Sequence, residues 1–188
     1  MNKVQLRRQL LEYRQSLPLE TWRENSDRLC QHLQTLPLFQ SARTILAYFS
    51  IRQEPDLQSL WAAKSTWDHR WGFPRCVGQD LTWHQWNVGD PLETGAYNIL
   101  QPIATAPPLT AAEVDLILVP SVACDRRCYR LGYGGGFYDR LLADPQWASL
   151  PALGLIFEFA YLPTLPTDPW DIQLSGICTE KTFYFLNK

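Results

Sequence analysis

The segment VDLILVP, Val114 to Pro120, limits the possible folds more than any other stretch of this chain. Its centre, Leu116 to Val119, is uniformly apolar, partly β-branched, and too short for a buried helix. Such a strand has no polar face to turn toward water, so it belongs inside a sheet covered on both sides. Ten residues beyond Pro120, the glycine-rich run RLGYGGGFYDR (Arg130 to Arg140) leads into the helical pattern FYDRLLAD. A buried strand, a tight turn and a helix in that order point to an α/β fold.

The remaining sequence supports this. Leu6, Leu10, Tyr13 and Leu17 recur at helical spacing and predict a helix over 3–17. Pro18 ends it or opens the next, which runs over about 19–36 with Trp22, Leu29, Leu33 and Leu36 on one side, and Pro37 stops that. TILAYFS (44–50) reads as a buried strand, and Asp56 can cap a helix bearing Leu57, Leu60 and Trp61. RWGFPRC (70–76), LTWHQW (81–86), ALGLIFEF (152–159) and DIQLSGIC (171–178) read as further strands. The proline-containing stretch 87–112 is expected to be an extended connection along one edge. The expectation is one α/β domain over 1–188, with a mostly parallel central sheet and helices on both faces.

Composition excludes several function classes. Among 188 residues, 46% are apolar and 19% charged, which suits a globular domain. The net charge of −2 and the absence of a basic run argue against nucleic acid as a partner. No apolar stretch approaches the ~18 residues that suggest a membrane span. The opening MNKVQLRRQLLEYRQ is charged and amphipathic, unlike a secretory signal. Five scattered cysteines do not form a disulfide framework, so a reducing, cytoplasmic setting is expected. Cys124 and Cys128 lack further ligands at zinc spacing, and His32, His69 and His84 supply none.

The glycine turn carries the chemistry. Gly132, Gly134, Gly135 and Gly136 lack Cβ atoms, so backbone can approach a ligand and adopt positive φ. Backbone N–H groups in such a turn suit a phosphate. Four arginines (Arg126, Arg127, Arg130, Arg140) stand against two aspartates (Asp125, Asp139), a local positive surplus that favours an anionic ligand. Asp139 fits beside phosphates if it holds a cation, and magnesium takes one or two carboxylates plus phosphate oxygens. A plain strand-to-helix connector with solvated arginines is the competing explanation. The motif G-x-x-x-x-G-K-[ST] is absent, and G-x-G-x-x-G fails because position 137 is Phe.

The order strand, Pro, small residues, Asp, then Arg-Leu-Gly-x-Gly-x-Gly-aromatic-Tyr-Asp resembles the signature of the 5-formyltetrahydrofolate cyclo-ligase family. Lys3-x-x-Leu6-Arg7, Tyr48-Phe49-Ser50 with Glu54, Phe73-Pro74-Arg75, and Leu165-Pro166 with Asp171 resemble further family segments in the same order. Departures occur at Ser121-Val122-Ala123-Cys124-Asp125, near Cys128 where a glycine is common, and at Gln101-Pro102 in place of Glu-Pro.

The resemblance implies ATP-driven closure of 5-formyltetrahydrofolate to 5,10-methenyltetrahydrofolate with Mg²⁺ as cofactor, by a cytoplasmic monomer. It implies an architecture like that of sugar-phosphate isomerases and CoA transferases. By the same resemblance Lys3, Arg7, Arg130, Leu131, Gly132, Tyr133, Gly134, Gly135, Gly136, Phe137 and Tyr138 hold ATP, with Arg130 and Tyr138 catalytic. Phe49 and Glu54, with Tyr133, Phe137 and the glycines between, hold the folate, and Asp139 and Asp171 the metal. Each has a plainer alternative: Lys3 and Arg7 on a solvated helix face, Phe49, Tyr133 and Phe137 as packing, Glu54 as a loop charge, Asp171 as a turn residue. Two rival functions remain: a member that binds nucleotide or folate without turnover, and a sugar-phosphate isomerase-like enzyme.

Overall fold

The computed structural model describes residues 2–62 and 68–186. Helix α1 (Lys3–Gln15) starts from a capping box, in which the Asn2 side chain accepts from Gln5 N–H and the Gln5 side chain accepts from Asn2 N–H. It is followed by α2 (Leu19–Thr35), α3 (Pro37–Ser41), β1 (Thr44–Leu46), α4 (Gln58–Ala62), β2 (Arg70–Val77) and β3 (Asp80–Gln85). The chain continues through β4 (Leu92–Thr94), β5 (Leu100–Pro102), β6 (Pro108–Leu109), β7 (Leu116–Pro120), β8 (Ala123–Asp125) and β9 (Arg130–Leu131). It closes with α5 (Phe137–Ala143), β10 (Ala152–Leu155), β11 (Tyr161–Leu162), β12 (Gly176–Cys178) and β13 (Phe183–Phe185).

Eight strands form the main sheet in the order β13-β12-β10-β7-β1-β2-β3-β6. The five from β12 to β2 are mutually parallel, and antiparallel strands close both edges. Strand β7 lies in the middle, as its uninterrupted apolar run requires. Alternation along the strands supplies two cores. Ile45, Leu116, Leu118, Leu153 and Leu155 face α2 and α3, while Leu46, Ile117, Val119 and Ile177 face α1 and α5.

Several boundaries differ from the sequence expectation. Strand β1 stops at Leu46 rather than Ser50. The Ala47 N–H still reaches Gly72 O, but the next donor in this register would come from Pro74, which has no N–H. The ladder therefore ends, and residues 48–50 splay away from the sheet. Helix α1 ends at Gln15, and the residue it buries is Arg14, whereas Tyr13 is exposed. The 87–112 stretch is more than a connection: it forms the β4–β5 hairpin and the edge strand β6. The two late strands are shorter than expected, because β10 ends at Leu155 and β12 begins at Gly176.

Candidate active site

Strands β1, β2 and β7 point their carboxyl ends the same way, and a cavity of about 730 Å³ opens beyond them, lined by Phe49, Pro74 and Pro120 among others. Crevices outside strand carboxyl ends are where open α/β sheets bind ligands, and this volume suits a small-molecule site.

One wall is the glycine turn. Strands β8 and β9 pair antiparallel and carry the chain back to the cavity. Their connection is held by the buried Asp125 carboxylate, which accepts from the N–H groups of Arg127, Tyr129 and Leu165. Cys128 sits there at φ 61, a conformation glycine takes most easily. The departure from the family pattern is thus absorbed by a network around Asp125. Beyond β9, Gly134 (φ 104) and Gly136 (φ 68) meet the need for positive φ. Gly132 and Gly135 do not. A Cβ at Gly132 would lie 2.6 Å from the Arg130 guanidinium, and one at Gly135 2.9 Å from the Phe137 ring.

Arg130 is the cation at the centre. Its side chain is buried, 2.9 Å from Asp139 Oδ2 as an ion pair whose geometry makes no hydrogen bond. Its Nε and Nη2, and the buried Tyr138 hydroxyl, have no hydrogen-bond partner. Buried donors left unsatisfied are costly, by roughly 1–3 kcal/mol each, and these border a cavity. Burial pushes the Tyr138 hydroxyl pKa far up, so it stays protonated and able to donate. At the opposite edge Lys3 Nζ lies 2.6 Å from Asp168 and 2.5 Å from Asp171. Burial alone would lower its pKa, but the two aspartates outweigh that and raise it. Arg7 donates to Gly132 O at 2.7 Å.

The expected ring of arginines is corrected here. Of the four, Arg130 lines the cavity. Arg127 is turned to Asp125 and Leu165 O, and Arg140 to Gln79 O and Gly135 O. Arg126 is not a lining residue either. The positive wall is built instead from Lys3, Arg7, Arg52 and Arg130. Lys3 and Arg7 are therefore not on a merely solvated helix face.

The second wall is the segment 48–54. Phe49 stacks on Phe73 at 4.2 Å and meets Trp86 edge-on, so it is both core and lining. Glu54 is only 2% exposed, which raises its carboxyl pKa; Arg14, the Ile51 N–H and the Tyr133 hydroxyl oppose that shift. It is not a loop charge in water. Arg52 and Gln53 both hold positive φ, which shapes the loop around the cavity.

For a divalent cation, the donor chemistry is suitable but thin. Asp139 and Asp171 line one cavity, each beside a cation, and Asp168 lies against Lys3 with Asp171. Among the described residues no group of three or more metal-ligating side chains exists. A carboxylate pair completed by phosphate oxygens would need no such group.

The sequence model of the 5-formyltetrahydrofolate cyclo-ligase family matches residues 1–180. The chain belongs to that family. The cyclo-ligase of Haemophilus influenzae is 29% identical over 93% of this chain and 96% of its own, and that of Escherichia coli 28% over 88% and 93%. The solved 5,10-methenyltetrahydrofolate synthetase of Aquifex aeolicus superposes with a TM-score of 0.86 at 30% identity, covering 100% of this chain and 94% of that one. In cyclo-ligase terms, every residue that the resemblance assigned to ATP, folate or metal lines this one cavity. Lining residues that sequence reasoning missed include Arg52, Tyr97, Asp168 and Trp170. Asp168 alone had a signal, lying in the same Pro-then-Asp segment as Asp171.

Proposed function

We infer that the protein closes 5-formyltetrahydrofolate to 5,10-methenyltetrahydrofolate, converting ATP to ADP and phosphate. Family membership over nearly the whole chain carries this conclusion. The unsatisfied donors of Arg130 and Tyr138 beside the glycine turn support the phosphate end of it. Family membership does not favour an isomerase.

The formamide oxygen is a poor leaving group. Its attack on the γ-phosphorus releases ADP and makes the oxygen a phosphate ester. Nitrogen 10 then bonds to the former formyl carbon and loses its proton, and the carbon–oxygen bond breaks to release phosphate. No enzyme nucleophile is required, so positioning and charge stabilisation carry the rate.

Arg130 Nε and Nη2 and the Tyr138 hydroxyl donate to the transferring phosphoryl oxygens. Lys3, Arg7 and the backbone of Leu131 to Phe137 hold the remaining triphosphate. Phe49, Glu54, Tyr133 and Phe137 orient the folate. Asp139 and Asp171 hold Mg²⁺, which neutralises phosphate charge when bound. Both carboxylates already face cations, Arg130 and Lys3, which supports sites designed to exchange charge partners.

A monomer suffices, since one chain supplies every assigned group. The five cysteines are free thiols, supporting a reducing, cytoplasmic setting. Among the described residues no helix is long and apolar enough to cross a membrane.

The test is spectrophotometric. Mixing protein, 5-formyltetrahydrofolate, ATP and Mg²⁺ should produce the methenyl absorbance, and EDTA should abolish it. No product under these conditions overturns the assignment. Undiminished product in EDTA removes the metal from it.

A further inference from the structure

Arg14 belongs to no wall of the cavity, yet it is among the most constrained side chains in the molecule. It projects from α1 and is 3% exposed. Its Nε donates to Arg52 O at 3.0 Å, its Nη1 to Ser121 O at 3.2 Å, and its Nη2 to the Tyr133 hydroxyl. The acceptors come from three separate segments: the 51–54 loop, the exit of β7 and the glycine turn. Such a fork needs the planar, multidentate guanidinium, and a lysine ammonium cannot reproduce it.

The contact with Tyr133 has a direction. Arg14 can only donate, so the Tyr133 hydroxyl oxygen accepts from it. The hydroxyl proton is then available to the neighbouring Glu54 carboxylate, whose charged form the Tyr133 hydroxyl favours. Glu54 also accepts from Ile51 N–H at 3.0 Å. The Tyr133 ring is flanked by two cations, with the Arg14 and Arg52 guanidinium carbons 5.8 and 5.7 Å from its centroid. Other titratable groups around Glu54 are Tyr48 on the β1 exit and Tyr138 on α5, both kept neutral by burial.

We propose that Arg14 is a positioning residue for the folate half of the site. It locks the hydroxyl of Tyr133 toward the Glu54 carboxylate and ties the folate-binding loop to the glycine turn. The assignment rests on the cyclo-ligase reading of Glu54. The nucleotide half is held separately, because Arg7 anchors Gly132 O and Arg140 anchors Gly135 O. Loss of the Arg14 fork should therefore misalign one substrate and not the other.

The experiment uses the full chain carrying Arg14→Lys, Tyr133→Phe or both, with KM measured for each substrate. KM for 5-formyltetrahydrofolate should rise about tenfold or more in Arg14→Lys, since small misplacements cost rate steeply. KM for ATP should stay within about threefold. Tyr133→Phe should raise the folate KM about fivefold, and the double variant should be no worse than Arg14→Lys alone, because both changes break one chain of contacts. A lower thermal midpoint with both KM values unchanged would make Arg14 purely structural and overturn the proposal, as would multiplicative losses in the double variant. If Arg14→Lys does not fold, Tyr133→Phe decides alone, and a folate KM within about twofold of the parent overturns the idea. An inactive parent protein would reject the proposed reaction instead. Calorimetric affinity for 5-formyltetrahydrofolate then reads the same shifts, and a parent without such affinity ends both proposals.

Discussion

The two walls of the cavity are built in opposite ways. The glycine turn is continuous in sequence and presents backbone, with two residues at positive φ and little side chain to obstruct a ligand. The 48–54 wall presents side chains, and its key groups are set by residues far away in the chain: Arg14 reaches Arg52, Ser121 and Tyr133 across 38, 107 and 119 positions. A backbone-made wall depends on glycine at its left-handed positions, Gly134 and Gly136. A side-chain wall accepts ordinary residues, provided that buried charge meets buried charge. Mutations should therefore act locally and severely in the first wall, and through networks in the second.

The largest effect is expected from Arg130→Met, which removes the buried guanidinium at the foot of the turn. Turnover should fall by about 10²–10³, the usual loss for a donor aimed at developing charge, measured as methenyl formation at saturating substrates. Activity near that of the parent would show that the unsatisfied donors have no catalytic duty.

Gly135→Val tests whether the turn is a backbone cradle. Its Cβ would meet the Phe137 ring at 2.9 Å, and its branches would project into the turn. Nucleotide affinity by calorimetry should drop about 100-fold, or near 2.7 kcal/mol. A fall in thermal midpoint with affinity intact would reduce the turn to a connector and erase the contrast between the walls.

Asp139→Asn should lower turnover more than about tenfold while the fold survives, since a neutral amide is a poor magnesium ligand. Because Asp139 also pairs with Arg130, circular dichroism and the thermal midpoint must accompany the assay. Full activity in the folded variant would return Asp139 to the role of an Arg130 partner.

The smallest effect on activity is expected from the double change Cys124→Ala, Cys128→Ala. Burial pushes the Cys124 thiol up to about 12 and raises that of Cys128, so neither is a thiolate at neutral pH. Turnover should stay within about threefold, while the lost packing lowers stability by about 1–2 kcal/mol. Complete loss of turnover with ATP binding intact would demand a covalent route.

Much of this was visible before any coordinates. The β7 run, the Pro18 break between the first two helices, the Asp56 cap and the turn between β9 and α5 are all decided by neighbours along the chain. Leu116 to Val119 could only be an interior strand, and Gly134 and Gly136 could readily be left-handed where most residues could not. The resemblance named Lys3, Glu54, Asp139 and Asp171, which all line the cavity, but gave no geometry for them. That Arg127 and Arg140 turn from the cavity while Arg52 lines it depended on Leu165 and Gln79 arriving from elsewhere. Arg14 was the least legible residue, since a helical arginine one place beyond Tyr13 looks like solvent-facing charge. By itself the sequence determined the elements and the chemistry of the turn, because those depend on local sterics and on the apolar period. Tertiary structure alone decided which charges are buried and what they hold, because a buried ion is tolerable only where distant acceptors converge on it.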